Sequence, residues 1–193
     1  MQQETKSRDT KGDIHRAALE LFSSQGYEKT SLREIAEQVG ITKASLYYHY
    51  SSKQDLLKAI IGTFFDDLYA MFQRVDTVPW SPEAERELLA AYLDVVITHR
   101  ATGPTVLRDI AAVLAAFGDD LGELIERSRR FQLWLAGPDP SPRDRVIATA
   151  AVEVVGAVFS AGLEPAQLSD AEFHQTLLEA ATAVLTGRRN VPS

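Results

Sequence analysis

Apolar residues recur along this chain at intervals of three and four, and almost nowhere at two. Ile14, Ala17, Ala18, Leu21 and Phe22 fall at the i, i+3, i+4, i+7 and i+8 positions of one buried helix face, which predicts a first helix closed by a left-handed cap at Gly26. Ser31-Leu32-Arg33-Glu34 carries the hydroxyl and carboxylate of a capping box, and Leu32, Ile35, Ala36 and Val39 then form a short apolar face ending at Gly40. Thr42 is the next N-cap and opens a short third helix from Lys43 towards Tyr50. Ser52 opens a fourth that carries Leu56, Leu57, Ile60, Ile61, Phe64, Phe65 and Leu68.

The remainder reads as helix as well. Val75 to Ser81 interrupts the pattern, and Ser81-Pro82 supplies a cap and an N1 proline ahead of Leu88, Leu89, Tyr92, Leu93, Val96 and Ile97. Gly103-Pro104, Gly118, the run from Gly137 to Pro142, Gly162-Leu163-Glu164-Pro165 and Gly187 divide the rest of the chain. Ser141 and Ser169 begin two further capped helices. Between turn signals no apolar alternation persists, so no strand is predicted. The expectation is an all-α chain of about nine helices, a three-helix head over residues 1–51 and a larger helical bundle over 52–193.

Composition narrows the class. With 193 residues, 45% hydrophobic and 24% charged, the chain has the balance of a soluble globular protein. The lack of cysteine excludes a disulfide framework and a cysteine metal cluster. Met1 to Asp13 is polar and unlike a signal peptide, and the apolar stretch from Ala148 to Ala161 is broken by Glu153, short of the roughly 20 residues a membrane span needs. A cytoplasmic protein without a membrane partner is expected.

A net charge of −7 argues against a nucleic-acid partner until its distribution is read. Residues 1–58 carry nine Lys or Arg against eight Asp or Glu, and they hold every lysine of the chain: Lys6, Lys11, Lys29, Lys43, Lys53 and Lys58. The acidic excess therefore lies in the body, and only the amino-terminal end is suited to approach DNA.

Residues 31–50 give two short helices joined by a turn at Gly40, the size of a helix-turn-helix whose second helix can enter a major groove. That helix offers Lys43, Ser45, Tyr47, Tyr48 and His49 around the apolar anchors Leu46 and Tyr50. A solvated surface hairpin has the same outline, so the pattern alone leaves both readings open. The stretch AALELFSSQGYEKTSLREIAEQVGITKASLYYHYSSKQDLL resembles the amino-terminal DNA-binding domain of the tetracycline-repressor (TetR/AcrR) family. The likeness rests on AALELF, Gly26-Tyr27, Thr30-Ser31, Ile35-Ala36, Val39-Gly40, Leu46-Tyr47, His49-Tyr50 and Ser52-Lys53.

The resemblance implies a dimeric transcriptional regulator, more often a repressor, released from a palindromic operator by a small organic effector. It implies DNA contacts from Lys43, Ser45, Tyr47, Tyr48 and His49, with Thr42 capping their helix. Lys53 resembles a phosphate-contacting lysine, and Arg33 matches a position that in some members reaches a base edge. Tyr47 and His49 are equally readable as residues packed within the head. For dimerisation, Ala148, Val152, Val155 and Phe159 on one helix and Leu177, Ala181 and Val184 on the last form apolar stripes, which a monomer core would also explain. For the effector, Phe65, Tyr69, Tyr92, His99, Arg108 and Trp134 are the aromatic and polar candidates on apolar faces, with His99 and Arg108 favouring a carboxylate or other acceptor. Four histidines at no metal-ligand spacing, without a phosphate loop or cysteine nucleophile, give no apparatus for catalysis, a metal or a cofactor. The other class is a helical small-molecule-binding or interaction protein without DNA-binding activity, which promoter DNA binding would separate from a regulator.

Overall fold

A computed structural model describes residues 9–160 and 169–187, apart from the side chains of Phe159 and Ser160. Its helices are α1 (Thr10–Gln25), α2 (Leu32–Val39), α3 (Lys43–His49), α4 (Lys53–Gln73), α5 (Pro82–Thr98), α6 (Gly103–Arg108), α7 (Ile110–Phe117), α8 (Asp119–Leu135), α9 (Pro142–Ser160) and α10 (Asp170–Thr186). Among the described residues there is no strand, and no helix is long and apolar enough to cross a membrane.

The caps follow from local chemistry. The Ser31 and Ser169 hydroxyls accept from the backbone N–H three residues on, while Glu34 and Glu172 accept from the cap N–H, so both capping boxes are complete. Thr42, Ser52 and Ser81 each accept from the N–H three residues later. Gly40 is left-handed at φ 74° and ψ 34°, as the end of α2 requires. Gly26 differs from the expected cap, since it combines φ 94° with an extended ψ of 153°. The positive φ still demands glycine.

Among the described residues ten α-helices replace the expected nine, because the stretch after Gly103 breaks at Asp109, whose φ of −110° and ψ of 37° end α6 and turn the chain into α7. The cause is tertiary. The Asp109 carboxylate accepts a hydrogen bond from the Tyr27 N–H at 3.0 Å, on the far side of the α1 end. A periodicity count registers apolar spacing and is blind to such a pull.

Ile14, Ala18, Phe22, Ile35, Leu46, Leu56 and Leu57 fill the core of the first helices. Further along α4, Phe64, Phe65, Leu68 and Phe72 join Leu88, Leu89, Leu93 and Val96 of α5 with Phe131 and Leu135 of α8. The α9 and α10 stripes take part in the same continuous buried cluster, which turns part of the expected subunit interface into core of the single chain. Ala148, Val152, Val155 and Ala181 are buried within the single chain, so they cannot also meet a partner; Leu177 and Val184 are half-buried at its rim, and the Phe159 side chain lies outside the described residues. The open faces carry Val146, Thr149, Ala150 and Glu153 on α9 and Thr176, Ala180 and Ala183 on α10.

Candidate nucleic-acid interface

The face is built on a buried anchor. Leu46 is fully enclosed under α3, and Tyr50, just past its end, is buried with its hydroxyl 2.6 Å from Nε2 of His15 on α1. These two contacts settle which side of the seven-residue helix faces in. Lys43 and Tyr47 stand exposed on one flank, with the lysine ammonium 5.5 Å from the Tyr47 ring centroid. Tyr48 lies opposite the anchor at 86% exposure, its ring edge-on to His49. Ser45 and His49 are half-buried beside it, so His49 both packs and keeps an accessible edge.

The N-terminus of α2 and the start of α4 border the same surface. A groove of about 450 Å3 runs between Arg33, Lys43, Tyr47, Ser51, Ser52 and Lys53. Arg33 is exposed and donates from Nε to Glu37 Oε1 at 2.7 Å, one turn along α2. The Ser31 hydroxyl and backbone hold the Glu34 carboxyl below its usual range, and the Ser51 and Ser52 hydroxyls do the same for Asp55.

Lys53 is placed differently from the free phosphate contact expected. Its ammonium donates to the carbonyls of Tyr27 at 2.6 Å, Thr30 at 3.0 Å and Glu28 at 3.3 Å, and lies 4.2 Å from the Tyr27 ring centroid. Three protons meet three carbonyls. The side chain ties α4 to the turn between α1 and α2, and its charge faces that turn.

The matched pattern now has a shape. Residues 14–60 match the family model described as bacterial regulatory proteins, tetR family. Over that segment the chain is similar to the family's DNA-binding domain. It is 30% identical over 115 residues to the HTH-type transcriptional repressor KstR2 of Rhodococcus jostii, covering 58% of this chain and 50% of that protein. Over 51 residues it is 47% identical to the biofilm operon negative transcriptional regulator IcaR of Staphylococcus aureus, 26% of this chain and 27% of the relative. The matched stretch thus spans about half the length of the KstR2 relative. The fold extends further: the ketosteroid transcriptional regulator KstR2 of Mycobacterium tuberculosis superposes with a TM-score of 0.73 at 18% identity, over 93% of this chain and 95% of that one.

The body candidates do not converge on one site. Phe65 is buried and packs on Phe117 at 4.7 Å between centroids; Tyr69 donates its hydroxyl to the Asp120 carbonyl at 2.8 Å; the Trp134 indole donates to the Val78 carbonyl at 3.1 Å. His99 lies 5.2 Å from the Phe64 ring with Nε2 2.7 Å from Asp67 Oδ2. Tyr92 joins Phe72 and Phe131 in an aromatic cluster, where burial pushes its phenol up to about 12. Arg108 is the clear correction. It is exposed, and its Nη1 donates to the Ser23 carbonyl at 2.7 Å and the Ser24 carbonyl at 3.1 Å, at the end of α1. Sequence reasoning missed the neighbours that share this contact, Thr105 and Asp109; the one visible signal was the polar pair Arg108-Asp109 interrupting an apolar helical run.

Proposed function

We propose that this chain is a dimeric, sequence-specific DNA-binding transcriptional regulator that represses by occupying a palindromic operator and leaves it when a small organic effector binds the body. The observation that carries the reading is the outward face of α3, where Lys43, Tyr47 and Tyr48 stand exposed above the buried Leu46. A helix held from below with a cationic and aromatic face above suits a major groove, where phosphate contacts position and base-edge contacts specify. Arg33, Ser45 and His49 flank it, and Thr42 caps it. The head, residues 1–51, and the body, 52–193, divide this work in a cytoplasmic protein without catalysis.

Dimerisation falls to the open faces of α9 and α10, where Thr149, Ala150, Thr176, Ala180 and Ala183 are small enough to let helices approach. The named repressors among the relatives support the sign of regulation. The effector reading shifts with the structure. Arg108 is engaged by the head and His99 by Asp67, so the preference for a carboxylate ligand is withdrawn. An apolar frame beside Phe72 and Phe131, with the neutral Tyr92 hydroxyl as its polar partner, fits the body better. Helix α4 links the two ends, from Lys53 under the head to Phe64, Phe65 and Tyr69 in the body.

Selection from random DNA followed by mobility shift tests the reading. An enriched palindrome is expected, with half-sites roughly 34 to 36 Å apart. Tyr48→Ala should change which sequence is preferred, and Lys43→Ala should weaken all sequences alike and lower the salt slope by about 1. If the pool yields no enriched sequence, the helical binding protein without DNA activity becomes the better description.

A further inference from the structure

The end of α6 reaches out of the body and grips the end of α1. Over five residues it makes four hydrogen bonds to the head. Thr105, completely buried, places Oγ1 3.2 Å from Ser23 Oγ; Arg108 donates to the Ser23 and Ser24 carbonyls; Asp109 accepts from the Tyr27 N–H at 3.0 Å. The Ser23 and Ser24 carbonyls belong to the last turn of α1, where a helix has no intrahelical donors to offer and a cation is favoured. The helix breaks at Asp109 in making the last of these bonds.

The same turn is held from its other side. Lys53 at the start of α4 binds the Tyr27, Glu28 and Thr30 carbonyls. The Thr30 hydroxyl, buried, donates to the Gly26 carbonyl at 2.8 Å, and the Tyr27 ring packs on Phe22 at 5.3 Å. Tyr27 is therefore clamped at both backbone polar groups, its N–H by the body and its C=O by α4. A Cβ on Gly26 would meet the Arg108 guanidinium at 3.5 Å, an ordinary contact, so what fixes glycine there is the positive φ of 94°.

The geometry points to Asp109 and Lys53 as positioning residues that fix the orientation of the DNA-reading head on the body by clamping Tyr27 from opposite sides. The chain enters α4 at Ser51-Ser52, and Leu56 and Leu57 of α4 pack into the core of the first helices, which makes one attachment. The clamp adds a second, non-covalent attachment at the opposite end of α1, and two attachments define an orientation where one does not. In a dimer that orientation sets the separation of the two reading helices. Asp109 and Lys53 touch no base and no phosphate in this role; they act through Tyr27. The inference rests on the proposed DNA-binding function.

The test uses the full chain and the sequence that the wild-type protein enriches from random DNA. Binding is measured on that site and on the same half-sites with one base pair inserted between them. Asp109→Ala should lose about tenfold on the native spacing, the scale of one hydrogen bond to a charged group, and should narrow the wild-type discrimination between the two spacings. Asp109→Asn keeps an acceptor for the Tyr27 N–H and should restore both. Hydrogen exchange of the 22–31 segment should quicken in Asp109→Ala and return in Asp109→Asn, a check that involves no DNA. Lys53→Met should likewise narrow the spacing discrimination while leaving the salt slope unchanged. If Asp109→Ala folds and keeps the wild-type affinity and spacing preference, the positioning role is overturned and the DNA reading stands. If the wild-type chain enriches no sequence, the DNA reading fails and the positioning role falls with it.

Discussion

Head and body are made from the same helical material, yet they differ in what their polar groups do. In the first fifty residues the exposed polar side chains of α3 project to solvent, and the buried ones, such as Thr30, serve one turn. In the body, the polar ends expected to await a ligand are occupied: Tyr69 by a carbonyl of α8, Trp134 by the Val78 carbonyl, His99 by Asp67, Arg108 by the head. A surface that reads a long polymer can stay open, because its partner is always larger than the contact. A small-molecule site must be assembled inside a core, where an unsatisfied polar group is costly, so its groups acquire internal partners.

The largest way to break the comparison is to truncate one buried side chain in each region of the continuous core. Phe131→Ala in the body should cost about 3 to 5 kcal/mol and Leu46→Ala in the head about 2 to 5 kcal/mol, both side chains being fully enclosed. Both tryptophans, Trp80 and Trp134, lie in the body, so indole fluorescence follows the body while far-ultraviolet circular dichroism follows every helix. With Phe131→Ala the two denaturation curves should move together. With Leu46→Ala, dichroism should show an early loss that fluorescence does not. Coincident curves for Leu46→Ala would mean that head and body unfold as one unit, and the contrast between them would be thermodynamically empty.

Capping gives a smaller and more even test. Ser31→Ala and Ser169→Ala each remove one member of a complete box and should each cost about 1 kcal/mol. Only the first should also weaken operator binding, because α2 supports α3. Tyr48→Ala stands at the other extreme: at 86% exposure it should change stability by less than about 0.5 kcal/mol while altering the preferred DNA sequence. An equal loss of stability and affinity in Tyr48→Ala would show the ring to be structural.

What the sequence disclosed divides along the same line. The head was legible because its signals are local: a capping box within four residues, a left-handed glycine after Val39, an N-cap threonine, and Leu46 and Tyr50 at helical spacing. Helix boundaries in the body were legible for the same reason, down to the Ser81-Pro82 start of α5. Direction was not. Ala148, Val155 and Ala181 have the spacing of a buried stripe, and spacing cannot say whether the cover is the same chain or a second one. Lys53, Arg108 and Asp109 were misplaced or missed because their partners are backbone groups 23 to 85 positions away, which no periodicity reports.

The finest discrimination comes from pH. His15 sits on α1 with Nε2 2.6 Å from the Tyr50 hydroxyl, and burial pulls its pKa below the ordinary 6.5, a shift that the Asp9 charge partly offsets and the Lys11 charge reinforces. The unfolded chain takes up this proton near pH 6.5, whereas the folded head does so only at lower pH. Between those two points the unfolded state binds more protons, so stability falls as pH drops through 6.5 and levels off below the folded value. The capping carboxylates Glu34, Asp55 and Glu172 are shifted down from 4.5, 3.8 and 4.5, so their contribution is lost only in a more acid window, below those values. Titration of stability from pH 7 to pH 5 by dichroism therefore lies above the window of those carboxylates, and a variant at position 15 singles out His15 from the other three histidines. Wild-type protein should lose stability over that interval, and His15→Gln, which keeps a hydrogen-bonding group towards Tyr50 and removes the proton, should lose less. Tryptophan fluorescence, seated in the body, should show the smaller difference between the two proteins. An identical pH slope in wild type and His15→Gln would assign the dependence to groups outside the head.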